Sequence, residues 1–216
     1  MKEVSKLLDY RPEIKVVDAT LRDGGLVNNF RFSDDFIKAL YTANLRSGVD
    51  YMEFGYKGDR EIFDESKFGP CKFCDDEYIY SIVGENNTDL KIAVMADVGR
   101  CNYKQDIHDR SESPVDLIRV ATYLHQIPTA VDIIEDAKKK GYEVVHIHGN
   151  SATMAFDLLA VWAGGATVRI THCHNCAHQP ALKQATLGRL LNRLVTDPVA
   201  CSRAAGEMLK AHESWI

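Results

Sequence analysis

The 216-residue sequence contains no apolar run near the roughly 20 residues that a helix needs to span a bilayer. Residues 1–11 have no apolar segment of the kind that marks a secretory signal, so we expect a cytoplasmic protein. Positive charge is not in excess either, since 26 Lys and Arg stand against 31 Asp and Glu, for a net charge of −5. This balance offers no basic surface for nucleic acid or for an anionic membrane.

Cysteine is too sparse for a disulfide framework, because six residues in a chain of this length are typical of thiols or metal ligands. Two C-x-x-C pairs, Cys71 with Cys74 and Cys173 with Cys176, leave two alternatives open. They are a shared structural zinc and, for the first pair, a redox thiol. The sequence has neither internal repeats nor low-complexity segments. With 45% hydrophobic residues it predicts one large or two small globular domains.

Strand-like and helix-like segments alternate along the chain, which predicts an α/β fold of parallel strands with helical crossovers. One helix has clear signals at both ends, with Ser33 as its N-cap and Gly48 as its stop. A second helix ends at Lys138-Lys139-Lys140, followed by Gly141. The predicted strands cover residues 14–17, 50–54, 90–96, 117–122, 142–147 and 167–171.

The densest group of chemically capable side chains follows the first strand, where sites gather in parallel α/β proteins. Arg22 and Asp23 stand there side by side, before Gly24-Gly25. The functional interpretation makes Asp23 a metal ligand and Arg22 a stabiliser of oxyanion charge, whereas the alternative is a strand-end ion pair. Glu53 lies in the second strand and is placed to orient Arg22, unless it faces outward.

Residues 16–25 and 53–56, together with Val27-Asn28-Asn29, resemble the DRE-TIM metallolyase superfamily, which includes hydroxymethylglutaryl-CoA lyase, isopropylmalate synthase and 4-hydroxy-2-oxovalerate aldolase. The resemblance implies a (β/α)8 barrel and a metal-dependent reaction of a small 2-oxo acid through an enolate. It also implies that Asp23 binds Mg²⁺ or Mn²⁺, that Arg22 steadies the enolate, and that Glu53 belongs to the same polar cluster.

The same resemblance calls for a His-x-His pair on a strand, and this chain has two such pairs. We predict that His146 and His148 are the metal ligands, with His172 and His174 as the alternative pair. Either pair also fits strand-end histidines that only form hydrogen bonds. No residue is assigned as the general base.

The last third of the chain resembles a different group of enzymes. Residues 145–153, 168–175 and 200–206 are similar to the N-terminal Rossmann-like domain of bacterial GT-B glycosyltransferases of capsule synthesis. In that family the domain receives the acceptor, so the resemblance implies acceptor binding.

The sequence therefore predicts a partial aldolase-type TIM barrel over residues 1–143, continuing into a Rossmann-like, glycosyltransferase-like βα segment over residues 144–216. The origin of this join stays open, and the alternatives are a natural fusion, a recombination product and an assembly artefact. A partial barrel exposes strand edges, so we expect self-association and an impaired aldolase. The alternatives are an acceptor-binding glycosyltransferase fragment and an inactive fusion remnant.

Overall fold

The computed structural model describes residues 15–122, 126–142, 144–149, 154–163, 165, 168–173 and 181–200. Within these ranges strands and helices alternate along the chain. The strands are β1 (Val17–Asp18), β2 (Tyr51–Tyr56), β3 (Lys91–Asp97), β4 (Leu117–Ala121), β5 (Val144–Gly149), β6 (Val168–Cys173) and β7 (Asp197–Ala200). The helices are α1 (Thr20–Asn28), α2 (Asp34–Ser47), α3 (Asp76–Val83), α4 (Tyr103–Asp106), α5 (Ile127–Lys139), α6 (Met154–Ala163) and α7 (Ala181–Leu194).

Every recorded strand pairing is parallel, and neighbours in the sheet are neighbours in the chain. The strands form a four-stranded sheet in the order β1-β2-β3-β4 and a three-stranded sheet in the order β5-β6-β7. The two sheets meet where β4, the last strand of the first sheet, lies against β5, the first strand of the second. Sequential parallel order with helical crossovers is the arrangement of an aldolase-type barrel, of which this chain has a part. The predicted α/β class is therefore confirmed.

Helix α2 begins and ends where its sequence signals predict. The side chain of Ser33 accepts a hydrogen bond from Phe36 N at 3.3 Å, and Asp34 and Asp35 occupy the first turn, where the helix dipole favours negative charge. Gly48 closes the helix with a φ of 71°, which a residue without a Cβ adopts at no steric cost. Local sequence alone is sufficient to define this element.

Two apolar clusters hold the elements together. The larger one fills the space between the four-stranded sheet and the helices that cover it, and its fully buried side chains include Leu21, Ile37, Met52, Phe54, Ile79, Ile92 and Ile133. The smaller one joins α6 to α7 through Leu158, Val161 and Leu191. Burial of each large side chain contributes about 1.5–3 kcal/mol. The smaller cluster also includes Ile134 on α5, and Val120 on β4 packs against both clusters, so the two cores meet at β4 and α5.

The structure adds two helices that the sequence did not predict. They are α1 (Thr20–Asn28), which forms despite its two glycines, and the single turn of α4 (Tyr103–Asp106). The last helix predicted, which starts after Ser202, lies outside the described residues. In the described part of the chain, no helix combines the length and apolarity that crossing a membrane requires.

Candidate active site

Helix α1 follows the two-residue strand β1 after a single residue and carries both Arg22 and Asp23. Asp18, at the end of β1, accepts hydrogen bonds from Thr20 Oγ1 at 2.6 Å and from Asn44 Nδ2 at 2.9 Å. These contacts tie the start of α1 to β1 and to α2. Arg22 and Asp23 therefore sit on a short helix with a fixed start.

Gly25, the second glycine of the pair in α1, is needed for close packing. A Cβ on Gly25 would collide with the ring of Phe30, which lies against that point of the helix. Phe30 in turn meets the ring of Tyr56 edge to face, with 5.5 Å between centroids. Tyr56 is the last residue of β2, so this contact docks α1 onto the end of the strand that carries Glu53.

Arg22 and Glu53 are in direct contact, as the sequence predicted. Arg22 Nε donates to Glu53 Oε2 at 3.0 Å, and Arg22 Nη1 lies 2.6 Å from Asp23 Oδ1. Glu53 is fully buried, whereas the Asp23 side chain is 60% exposed. Within the described residues Nη2 of Arg22 has no recorded protein acceptor, so part of the guanidinium fork is available to a ligand.

A second arginine, Arg119 on β4, completes the cluster, and sequence reasoning gave it no role. Its Nη1 pairs with the same oxygen of Glu53 that Arg22 contacts, and the residue is only 5% exposed. The sequence feature that could have indicated it is a single cationic residue in an otherwise apolar strand. The other carboxylate oxygen, Glu53 Oε1, is buried and has no partner among the described residues.

The charges of the cluster and its burial shift the pKa values of both arginines. Burial lowers the pKa of Arg119, and nearby Arg22 lowers it further, against the opposing effect of Glu53. Burial also acts to lower the pKa of Arg22, but Glu53 and Asp23 outweigh it and raise that pKa above its usual value. Both guanidinium groups stay protonated near neutral pH. With the exposed Asp23 included, the cluster has two positive charges, on Arg22 and Arg119, and two negative charges, on Glu53 and Asp23. The excess of positive charge is confined to its inner side, where Glu53 faces both arginines.

The predicted histidine ligands can be traced only along the backbone. His146 and His148 lie in β5, next to β4, and His148 is in register with His172 on β6. The side chains of all three, and the whole of His174, lie outside the described residues. The described side chains include no group of three or more His, Cys, Asp or Glu arranged to hold a metal. The histidine ligands therefore stay predictions.

The first C-x-x-C pair is part of the core. Burial raises the pKa of Cys71 to about 12 and the pKa of Cys74 well above its usual value. Cys74 Sγ donates to the carbonyl of Cys71 at 3.3 Å. A redox or metal-binding thiol needs the opposite shift, because the thiolate is the reactive form. Cys176 and the side chain of Cys173 lie outside the described residues.

A second buried polar group lies between β2 and α3, and no sequence pattern indicated it. Lys57 Nζ donates to Asp76 Oδ1 at 2.7 Å and to the carbonyl of Cys74 at 2.8 Å. Asp76 Oδ2 is 2.8 Å from His108 Nδ1. Lys57 follows the last residue of β2 and Asp76 begins α3, so the group fixes the long loop that joins them.

Comparison with protein families finds no family model that matches this chain. A 4-hydroxy-2-oxovalerate aldolase from Pelotomaculum thermopropionicum is 25% identical over 150 residues, covering 69% of this chain and 43% of that protein. An oxaloacetate decarboxylase from Mycobacterium tuberculosis is 26% identical over 132 residues, covering 60% and 37%. A 4-hydroxy-2-oxovalerate aldolase from Desulfitobacterium hafniense is 26% identical over 130 residues, covering 60% and 38%.

The chain thus spans about two fifths of the length of the curated relatives it matches. Their names denote enzymes of 2-oxo acids, which confirms at this coarse level the resemblance to aldolase-type lyases. They lend no support to the glycosyltransferase resemblance of the last third, which stays a prediction.

Proposed function

We propose that this chain binds a small 2-oxo acid at the cluster of Arg22, Glu53 and Arg119 and stabilises its enolate, in the manner of an aldolase or related carbon–carbon lyase. The observation that carries the proposal is the Arg22 guanidinium. It is anchored at Nε by a fully buried carboxylate, while Nη2 has no protein acceptor in the described residues. The names of the distant relatives support the same class of substrate.

Each residue of the cluster has a distinct part in this proposal. Arg22 donates to the carboxylate of the oxo acid and to the oxygen that becomes negative in the enolate. Glu53 holds the Nε edge of Arg22, so the guanidinium does not have to reorganise as charge develops. Arg119 balances Glu53, so that the carboxylate does not cancel the charge that Arg22 presents to the ligand.

The resemblance also implies a divalent metal, Mg²⁺ or Mn²⁺, and the chain has residues of suitable chemistry to hold one. Asp23 offers a largely exposed carboxylate on α1, and His146 and His148 would supply the remaining protein ligands from β5. When bound, such a metal polarises the oxo acid. Asp23 would then also keep Arg22 beside the ligand, since their side chains are already paired.

We further propose that residues 1–143 and 144–216 are two parts of different origin. Their separate hydrogen-bonded sheets support this division, since β4 ends one and β5 begins the other. With no residue assigned as the general base, we expect turnover far slower than in a full-length relative. Loss of one member of a catalytic unit can cost as much as loss of all of them.

The test is calorimetric binding of pyruvate with Mn²⁺ present, combined with an assay of pyruvate release from 4-hydroxy-2-oxo acids. We expect Arg22→Ala to abolish pyruvate binding and Asp23→Asn to remove most Mn²⁺ binding. The matched controls are Arg46→Ala and Asp35→Asn, which change exposed residues of α2, and both should bind as the wild type does. Unchanged pyruvate affinity in Arg22→Ala would refute the proposal.

A further inference from the structure

Tyr56, the last residue of β2, lies on the same face of the sheet as Glu53. In a regular strand, residues three apart would point to opposite faces. Glu53 is in register with Ala93 and Tyr56 with Met95, which are two residues apart on β3 and therefore share a face. The register shift between Glu53 and Gly55 makes the difference. It turns Tyr56 toward the side of the sheet on which Glu53 meets the two arginines.

The loop that follows β2 holds this register shift in place. Gly55 has a φ of 155°, and a Cβ there would collide with the carbonyl oxygen of Cys71, in that loop. Only a residue without a side chain permits such a close approach of two backbone segments. Irregularities of this kind occur beside active sites, where they re-aim a side chain. The direction of the Tyr56 side chain is therefore set by the backbone of β2 and its loop.

Two neighbours fix the ring of Tyr56. The ring of Phe30 meets it edge to face, and the ammonium group of Lys72 lies over it, 4.6 Å from the ring centroid. Phe30 also packs against Gly25, which comes three residues after Arg22 on α1. Residues three apart lie on the same side of a helix. The ring of Tyr56 is therefore joined through Phe30 to the side of α1 that carries Arg22.

The hydroxyl group of Tyr56 is available to a ligand. Within the described residues it has no recorded hydrogen-bond partner, and it is not sealed from solvent. The hydroxyl of Tyr78, by contrast, donates to Asp34 at 2.9 Å. Tyr56 is also near enough to Arg22 to contribute to the raised pKa of that guanidinium. A neutral hydrogen-bond donor thus lies near the guanidinium whose Nη2 has no protein acceptor in the described residues.

From this arrangement we infer that Tyr56 Oη donates a hydrogen bond to the 2-oxo oxygen of the ligand, so that Tyr56 and Arg22 together bind the oxygen that becomes negative in the enolate. This inference rests on the proposed function, which puts the oxo acid at Arg22. The hydroxyl keeps its proton throughout, so no covalent bond forms or breaks at Tyr56. A hydrogen bond to an anionic oxygen is stronger than one to a neutral carbonyl. The hydroxyl therefore stabilises the enolate more than it stabilises the bound oxo acid.

The experiment compares calorimetric binding of pyruvate and of oxalate to the full chain with Mg²⁺ present. Oxalate has an anionic oxygen where pyruvate has its neutral 2-oxo group, so it mimics the enolate. We expect Tyr56→Phe, which keeps the ring, to weaken oxalate binding about tenfold and pyruvate binding by less than about threefold. The free energy of unfolding should not change, because the hydroxyl has no partner among the described residues. The matched control is Tyr80→Phe, which removes the hydroxyl of an exposed tyrosine of α3 and should bind both ligands as the wild type does.

The outcomes separate this inference from the proposed function. Oxalate affinity that is unchanged in Tyr56→Phe, while Arg22→Ala abolishes binding, overturns the role of the hydroxyl and leaves the oxo-acid site standing. Equal weakening of pyruvate and oxalate in Tyr56→Phe places the hydroxyl at the carboxylate that both ligands share, and so overturns the assignment to the 2-oxo oxygen. Oxalate binding that depends on Tyr56 but not on Arg22 supports the donor and refutes the proposed function. A wild type that binds neither ligand refutes both.

Discussion

Arg119 on β4 and Glu53 on β2 form an ion pair across the strand that separates them, β3. Their side chains meet because Ala93, in register with Glu53, presents only a methyl group on the shared face. Arg119 is in register with the next residue on that face, Met95. The pair therefore links three strands of the sheet, and Arg22 joins it from outside through the same carboxylate.

The first prediction concerns Arg119. We expect Arg119→Met to lower the free energy of unfolding by about 3–5 kcal/mol, because it leaves the Glu53 charge buried with one partner fewer. Denaturant unfolding measures the loss, and Arg46→Met on the exposed face of α2 is the control. The double variant Glu53→Gln with Arg119→Met should cost less than the sum of the two single changes. Full additivity would show that the pair contributes no coupling energy.

The second prediction concerns Gly55, the residue before the last in β2. A Cβ there would collide with the carbonyl oxygen of Cys71, and the residue has a φ of 155° at a shift in the strand register. We expect Gly55→Ala to destabilise the protein by about 1–3 kcal/mol, a typical cost of overpacking. Gly48→Ala is a useful comparison, since no atom lies within 4 Å of its Cβ position and only its φ of 71° opposes the change. Thermal unfolding that is unchanged in Gly55→Ala would contradict the close approach.

Part of this fold could be predicted because its signals are local. Ser33 is the N-cap of helix α2 and Gly48 ends it, so both boundaries could be predicted from the sequence. Helix α1 has two glycines and a capping position, Ala19, without a side-chain hydrogen bond, so its propensity is poor. Packing on Phe30 compensates for this, and a contact of that kind is not visible in a sequence.

The candidate site was also predictable only where its residues are close together in sequence. Arg22 and Asp23 are adjacent in sequence and stood out at once, whereas Arg119 lies 66 residues from Glu53. Their meeting depends on strand order and register, which a single sequence does not specify. Sequence reasoning also missed the aromatic rings around Lys72, because they come from three separate segments of the chain, at Phe30, at Tyr56 and at Phe63 with Phe68.

The third prediction is acid sensitivity at Asp76. Burial acts to raise its pKa, but Lys57, His108 and Ser113 outweigh this, and the pKa falls below its usual value. A lowered folded-state pKa stabilises the fold above the ordinary carboxyl pKa near 4, and that stability is lost as the pH falls through the folded-state value. Asp76→Asn should therefore lose stability at pH 7 and much less at pH 2. Urea unfolding at the two pH values measures this, and equal losses would contradict the linkage.

The fourth prediction concerns Asp157, whose pKa is shifted in the opposite direction to that of Asp76. Burial raises the pKa of Asp157, on α6, to about 6. The charged form is then disfavoured in the fold, so stability should decrease as the pH rises from about 4 to about 6. Asp157→Asn should stabilise the protein at pH 7, by less than about 3 kcal/mol because the side chain is partly exposed, and should have no effect at pH 3.5. A variant that is less stable than the wild type at pH 7 would show that the charge is needed.

The last prediction is self-association. Among the described strands β1, β4, β5 and β7 each have one hydrogen-bonded neighbour, but β4 and β5 lie against each other. This leaves β1 and β7 as the outer edges, and β1 is two residues long, with Val17 37% exposed. Next to this edge α1 exposes Leu26 and Val27, at 61% and 91%. Closure of a barrel removes such edges, so a partial barrel leaves apolar side chains and unpaired backbone groups for a second copy to cover.

We expect light scattering to show a mass that increases with protein concentration. Val27→Lys should shift the equilibrium toward monomer, whereas Ile62→Lys, at an exposed residue of the loop after β2, should not. A monodisperse monomer at every concentration would show that these edges are covered within the chain itself.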